Sequence, residues 1–350
     1  MTMPTASLAP FGAGPAALAA LAALAIAVAL DLAVAEPPGR VHPVALFGSV
    51  VERVDRPWTR PRLAGVAAAV GLPLVAAAVA GGTVVMAAGV GVRIGVDPRI
   101  VAVSVAGTLL FSLVSLRMLR EVTAEVVALT ETDPEAARES VRALVGRDAA
   151  DLSPAALRSA AVESAAENLA DGFVAPLAGF AVGATVGLAV APASVLPLAA
   201  GIAGAAWVKA VNTLDSMLGY RTKPVGWASA RLDDAVMYLP ARATAACLAI
   251  AAGSVGTLSR ARPWAREPGS PNSGWPMATA AAALDVRLAK PGHYALNATA
   301  ASPSVADAER AVRLVGVAAG VAVAGTAGWL LAAGWLLAGG WPPSPAGVVG

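Results

Sequence analysis

Charge is scarce in this chain. Of 350 residues, 57% are apolar and only 14% are Asp, Glu, Lys or Arg, and the mean hydropathy is +0.68. Soluble domains carry about 25% charged residues, so a pair of ordinary soluble domains is excluded. Cysteine is nearly absent: Cys247 stands alone, which rules out an internal disulfide and a cysteine metal site. Histidine is limited to His42 and His293, far apart in sequence, so neither a histidine metal site nor a Ser-His-Asp triad is expected from them. The net charge is +2 with no basic block, and nucleic acid is not expected as a partner. No GxxxxGK[ST] loop and no dinucleotide fingerprint occur, so the familiar soluble nucleotide folds are not visible. No Lys or Arg precedes Arg40, so the first apolar run lacks the basic start of a secretory signal and is expected to stay as a membrane helix.

What the chain does have is long apolar runs, several reaching the roughly 20 residues needed to span a bilayer. The expected fold class is all-α: a polytopic helical membrane protein, residues 1–350 forming one membrane-embedded domain. Spans are expected at about 11–35, 63–91, 100–116, 173–190, 193–211 and 311–339. Arg40, Arg53, Arg56, Arg60 and Arg62 share one short loop, which places that loop in the cytoplasm. Within it, apolar residues at 41, 44, 47, 51 and 54 predict a short helix on the membrane surface. Segments 117–170 and 212–310 are expected as cytoplasmic helical inserts. Ser153-Pro154 reads as an N-cap with proline in the first turn, opening a helix to about Ala170. The run 236–257 is interrupted by Tyr238, Pro240 and Arg242, and its unbroken part is short for a span, so it is expected to be re-entrant. The Ala- and Gly-rich runs predict close helix packing.

The scarce charges gather. Glu163, Glu167 and Asp171 are spaced by four and share one helix face, with Asn168 beside Glu167 and Arg158 the nearest cation in sequence. Like charges at that spacing repel. A solvated face would explain them; a set of hard oxygen ligands for Mg²⁺ bridging to phosphate explains them with a use. A second cluster spans 209–244: Lys209, Asn212, Asp215, Ser216, Tyr220, Lys223, Trp227, Ser229, Arg231, Asp233, Asp234 and Arg242. Positive-inside anchoring and interfacial aromatics account for Lys223, Trp227 and Tyr238. They do not account for three aspartates at a membrane edge. SPNSGWP at 270–276, holding Asn272, Gly274 and Trp275, predicts a constrained loop with Pro276 starting a helix.

At these residues the chain resembles a known family, adenosylcobinamide-phosphate synthase (cobinamide synthase), the CobD/CbiB membrane proteins of cobalamin biosynthesis. The resemblance rests on HPV (42–44), LVGRD (144–148), AVESAAEN with DG and VAPL (161–177), KAVNTLDSMLGYR (209–221), GWASARLDD (226–234), the Tyr238 to Thr244 stretch and SPNSGWP (270–276). They stand in the family's order and cover most of the chain outside the N-terminal tail and the last span. The resemblance implies an ATP-dependent amide bond between a propionate of adenosylcobyric acid and (R)-1-amino-2-propanol or its O-phosphate, with Mg²⁺ expected. It implies catalytic roles for Glu163, Glu167, Asp171, Asp215 and Asp233, the first four also holding metal. Lys209, Lys223, Arg231 and Arg242 would neutralise phosphate; Trp227 and Trp275 would cover the corrin faces; Asn212 and Asn272 would bond its peripheral amides. His42, Asn168, Ser216, Tyr220, Ser229, Asp234 and Gly274 complete the expected substrate contacts. One departure is Leu169-Ala170, where the family usually shows Thr-Ser, so any hydroxyl role there is absent.

The lipid bilayer is an expected partner, and a homo-oligomer or a complex with other cobalamin-pathway enzymes fits the resemblance. ATP and corrin intermediates imply a cytoplasmic-side site in the cell membrane. The competing readings are a transporter, with Asp31 and the edge charges lining a path, and a membrane phosphotransferase using paired aspartates on Mg²⁺. The first lacks visible inverted repeats, and Asp233-Asp234 lacks the i, i+4 partner the second would show.

Overall fold

The computed structural model describes residues 13–34, 36–142, 144, 150–220 and 222–338. The outer ends of the expected spans 11–35 and 311–339, residues 145–148 of the LVGRD motif, and Arg221 lie outside them. Among the described residues the regular structure is helical, as expected, apart from one two-stranded hairpin.

Helix α1 (Ala13–Val34) is followed by α2 (Pro43–Glu52), the short surface helix anticipated from the 41–54 pattern. Its Val51 packs on Leu214 and Leu218 while Leu46 and Val50 stay exposed. Then come α3 (Pro61–Arg93), α4 (Pro98–Phe111), α5 (Leu116–Thr132) and α6 (Pro134–Val141). Helix α7 (Pro154–Leu169) begins at the expected cap, the Ser153 hydroxyl accepting from the Ala156 N–H at 3.3 Å. A π turn at Ala170–Val174 joins it to α8 (Ala175–Val190), and α9 (Leu196–Leu218) returns. Helices α10 (Trp227–Val236), α11 (Tyr238–Ala251), α12 (Gly256–Ala261) and α13 (Gly274–Leu284) follow. Strands β1 (Leu288–Lys290) and β2 (Tyr294–Leu296) pair antiparallel, and α14 (Val305–Leu337) closes the described chain.

Among the described residues, five helical segments are long and apolar enough to cross a membrane: Gly14–Val34, Pro61–Arg93, Pro98–Thr132, Pro154–Val190 and Val305–Leu337. This is a multi-pass membrane protein. Segment 117–170, expected as a cytoplasmic insert, is continuous with apolar helices at both ends, α5 and α7 carrying the apolar segments of α4 and α8 onward. Helix α7 is Ala- and Ser-rich and buried on nearly every side, Glu163 included. Helix α9 covers the expected 193–211 span but is not among the five, because Lys209, Asn212 and Asp215 dilute its second half. The pair Pro224–Val236 and Tyr238–Ala251 bends by 47°, the geometry of a broken span or a re-entrant segment.

Helices α8 and α9 form an antiparallel hairpin held by glycine contacts. A Cβ on Gly183 would run into the Ala200 carbonyl, and one on Gly179 would meet the Gly204 carbonyl at 2.6 Å. Glycines four apart give a flat face on which backbones touch, which compensates for the weak hydrophobic drive between helices in lipid. The end of α1 and the start of α5 close each other. Buried Asp31 accepts from the N–H groups of Leu116 (3.0 Å) and Arg117 (3.1 Å), while Arg117 Nη1 donates to the carbonyls of Leu32 (2.8 Å) and Ala33 (2.9 Å). Donors orphaned at one helix end and acceptors orphaned at the other are satisfied in one exchange. A second core, built from Val127, Val162, Met277, Leu284, Leu288 and Leu296 among others, fastens α13 and the hairpin to the outer ends of α5 and α7. Arg158 strengthens that joint, donating to the Pro303 carbonyl and the Thr130 hydroxyl at 2.8 and 3.1 Å.

Candidate functional site

A cleft of about 1000 Å³ opens where α9, α10, the 267–270 loop and the β-hairpin meet. Two tight passages shape it. A Cβ on Gly219 would collide with the Asp215 carboxylate, and one on Gly226 with the Leu218 carbonyl, so the chain turns hard from α9 into α10 and folds the KAVNTLDSMLGY and GWASARLDD motifs onto each other. Asp215, Asp233 and Asp234 line the cleft together with Lys223, Arg231 and Lys290, and Tyr220 and Trp227 present half-exposed rings to it.

The carboxylates form one electrostatic group. Asn212 is in hydrogen-bonding contact with both Asp171 and Asp233, and Asp233 feels the charges of Asp171, Asp215 and Asp234. Asp171 sits on the π turn between α7 and α8, and its carbonyl-side neighbour Gly172 accepts from the Ser115 N–H at 3.1 Å. π turns inside helices often mark functional positions because they displace side chains from the regular register. Burial pushes the Asp215 carboxyl up to about 6, and the neighbouring Asp234 charge adds to the rise. Asp233 Oδ1 is buried without any hydrogen-bond partner. An acceptor left bare in this way, in a wall of like charges, is costly unless a cation or donor completes it.

The donor set therefore suits a hard cation such as Mg²⁺. Among the described residues, no group of three or more His, Cys, Asp or Glu side chains converges closely enough to hold a metal by itself. Glu163 stands apart from the cleft aspartates. Its Oε1 accepts from the Ser159 hydroxyl (2.8 Å) and its Oε2 from the Tyr294 hydroxyl (2.7 Å), and Ser159 also accepts from the Ala289 N–H (2.9 Å). Both oxygens expected to face metal are thus engaged in pinning the β-hairpin. Glu167 stays near the group, within electrostatic reach of Asp171, Glu163 and Lys290.

The other expected contacts divide. Lys223 sits in the cleft, paired with Asp55 at 2.5 Å, and Arg231 pairs with Asp234 at 3.8 Å. Arg242 instead ties the SPNSGWP loop to α10 and α11: it donates to Asn272 Oδ1 (2.7 Å) and to the Pro271 carbonyl (3.2 Å), and lies 3.7 Å over Tyr238 and 5.4 Å from Trp275. Asn272 in turn donates to the Asp234 carbonyl at 2.8 Å. Gly274 is required for close packing, since a Cβ would strike the Ala265 carbonyl. Arg242, Asn272, Gly274 and Trp275 therefore support the cleft from behind and do not line it. Asn168, Ser216 and Ser229 bond carbonyls of their own helical turns. His42 caps α2 through Nδ1, accepting from the Val44 N–H at 3.2 Å; burial lowers its pKa, with the Glu36 charge opposing and that of Lys209 adding to the fall. Lys209 lies near Asp171 and Glu36 but lines a different, apolar pocket beside α2.

The sequence reading missed Arg62, Glu267, Ser270, Lys290, His293 and Tyr294, all in the cleft wall. A signal was present: LAKPGHYAL places a Pro-Gly turn between two short apolar pieces. In the structure Gly292 takes a φ of +74° there, bringing Lys290 opposite Tyr294.

The CobD/Cbib protein family matches residues 24–324. The chain belongs to that family. The Rhodobacter capsulatus cobalamin biosynthesis protein CobD is 38% identical over 317 residues, covering 84% of this chain and 92% of that one. The probable CobD of Methanothrix thermoacetophila is 34% identical over 307 residues, with 84% and 91% covered. The Mycobacterium tuberculosis CobD is 37% identical over 304 residues, with 82% and 88% covered. No solved structure matches the chain.

Proposed function

We propose that this CobD/Cbib family member is the enzyme of cobalamin biosynthesis that joins (R)-1-amino-2-propanol, or its O-phosphate, to adenosylcobyric acid through an ATP-dependent amide bond. The observation that carries the reading is the cleft itself, in which three aspartates, one with a bare buried oxygen, face Lys223, Arg231 and Lys290. Amide formation from a carboxylate is uphill and needs that carboxylate activated by phosphate chemistry. Activation asks for a site that binds triphosphate and neutralises the charge that develops on it.

The roles follow from position. Asp233, with Asp171 joined to it through Asn212, would hold Mg²⁺, which when bound supplies charge neutralisation at phosphate oxygens. Lys290 on the hairpin, with Lys223 and Arg231 beside the aspartates, would bind phosphate. Tyr220 and Trp227 offer flat apolar surface to a macrocycle. The amine arrives as an ammonium and must lose a proton before its nitrogen can attack. Asp215, with its carboxyl pushed up to about 6, is matched to accept that proton near neutral pH. Arg242 and Asn272 hold the α10 backbone in place behind this wall. The site faces the cytoplasm in this reading, where nucleotide is available, and the bent α10–α11 pair enters the membrane without crossing.

The test is turnover by purified, detergent-solubilised protein given adenosylcobyric acid, ATP, Mg²⁺ and either amine, with product masses read directly. Amide product from wild type and a loss of about 10²-fold or more in Asp233→Asn is expected. Undiminished turnover in that variant defeats the role assignment. No product from wild type with either amine defeats the reaction.

A further inference from the structure

A second cavity, of about 480 Å³, opens between α1, α5 and α14, and its lining shares no residue with the cleft. Its floor and sides are apolar, including Val28 and Leu32 of α1 and Val317 and Val323 of α14, but two guanidinium groups enter it, Arg120 from α5 and Arg313 from α14. One carboxylate, Asp31, also borders it, yet both Asp31 oxygens already accept backbone N–H groups of α5. Arg120 Nε is buried and donates to nothing. Arg313 is exposed and forms no hydrogen bond or ion pair among the described residues. The cavity therefore holds more positive than negative charge, with unused donors beside a greasy slot.

Its depth is legible from the sequence. Arg313 is the last charged residue of α14, none occurring from Leu314 to Leu337, and Asp31 is the first charged residue of α1. The polar-to-apolar boundaries of both helices coincide at the cavity, which puts the arginines at headgroup level and the apolar walls at acyl-chain level. Val317 and Leu32 are 55% and 53% exposed, so the slot opens sideways to lipid. Helix α14 comes close enough for a Cβ on Gly316 to lie 3.0 Å from Arg120 Nε, so the two elements form one wall.

We propose that this cavity is a binding site for an anionic phospholipid, its phosphate held by Arg120 and Arg313 and one acyl chain lying in the slot between α1 and α14. A zwitterionic lipid brings its own cation to the arginines and gains less; a small anion leaves the slot empty. The inference does not depend on the reaction proposed for the cleft.

Delipidated protein, loaded separately with phosphatidylglycerol and phosphatidylcholine of identical chains, is examined by native mass spectrometry. Wild type is expected to retain one phosphatidylglycerol under conditions that strip phosphatidylcholine. Basic residues at an anionic lipid surface contribute about 1 kcal/mol each, roughly fivefold in affinity. Arg313→Ala should therefore weaken retention about fivefold, and Arg120→Ala/Arg313→Ala by more than tenfold. Val317→Trp, which fills the slot from an exposed position and removes no charge, should also abolish it and keeps the test open if the double variant misfolds. Arg93→Ala, on α3, should change nothing. Equal retention of both lipids by wild type overturns the proposal, as does a phosphatidylglycerol preference undiminished in Val317→Trp and Arg313→Ala. Displacement of the lipid by glycerol 3-phosphate at matching concentration would likewise overturn it, showing a small-anion site only.

Discussion

Asp31 invites a transporter reading on sequence grounds, as an acid inside an apolar run, and its replacement separates that reading from the structural one. In the fold it is 1% exposed and caps α5 across the chain, taking the N–H groups of Leu116 and Arg117 at 3.0 and 3.1 Å. Asp31→Ala removes both acceptors. The two N–H groups it leaves bare, buried at Leu116 and partly buried at Arg117, cost about 1–3 kcal/mol each. The Arg117 side chain still bonds the Leu32 and Ala33 carbonyls and holds the joint partly closed. The net loss should be about 3 kcal/mol, and about 1 kcal/mol for Asp31→Asn, which keeps one acceptor. Equilibrium unfolding in mixed micelles, titrated with denaturing detergent, measures both values. Turnover per folded molecule should be unchanged in each. A stability loss under about 0.5 kcal/mol together with abolished activity would refute the cap and restore Asp31 to a substrate path.

Three further predictions concern the cleft and its frame. Because burial raises the Asp215 carboxyl to about 6 from 3.8, the folded state holds its proton more tightly than the unfolded state does. This contribution is fully present below about pH 4 and is lost as pH rises through 6, worth about 1–2 kcal/mol once partial exposure is allowed for. Asp215→Asn should gain on wild type by that amount as pH rises over the interval, since Asn cannot ionise; a difference independent of pH contradicts the shift. Tyr294→Phe removes the hydroxyl that donates to Glu163 at 2.7 Å and should lower stability by about 1–2 kcal/mol while loosening the hairpin that carries Lys290. Proteolysis between Leu288 and Leu296 should accelerate, and equal rates would show that the tie is idle. Gly183→Leu should prevent α8 and α9 from meeting at the Ala200 carbonyl and abolish folded yield, whereas Gly325→Leu, with open space around it, should not.

How much of this was legible depended on distance along the chain. The short helix α2, the Ser153 cap and the run of apolar helices follow from local spacing, and the structure has them. The carboxylates on α9 and α10 were also found, because one short glycine-bounded turn brings the two motifs together. Glu163 was misplaced for the opposite reason. The i, i+4 pattern puts it on a face with Glu167 but cannot say that Tyr294, 131 positions away, will take one of its oxygens. Arg242, Asn272 and Trp275 have the chemistry of a binding site and the geometry of a buttress, a distinction that only packing draws.

That buttress carries a consequence for the cleft. Asn272 holds the Asp234 carbonyl, and Arg242 holds Asn272, so these two side chains act on the aspartates through the α10 backbone. Asp233, one residue earlier on that braced helix, carries the bare buried oxygen. Arg242→Lys retains the charge but loses the planar fork that reaches Asn272 and Pro271 together and stacks on Tyr238. Its effect should fall on kcat by about tenfold, the size expected when a reacting group is displaced by a fraction of an ångström, with KM for ATP nearly unchanged. A contact made directly to nucleotide phosphate would show the reverse, a raised KM with kcat preserved. Steady-state kinetics of this one variant therefore decides whether Arg242 touches substrate or only holds the wall that does.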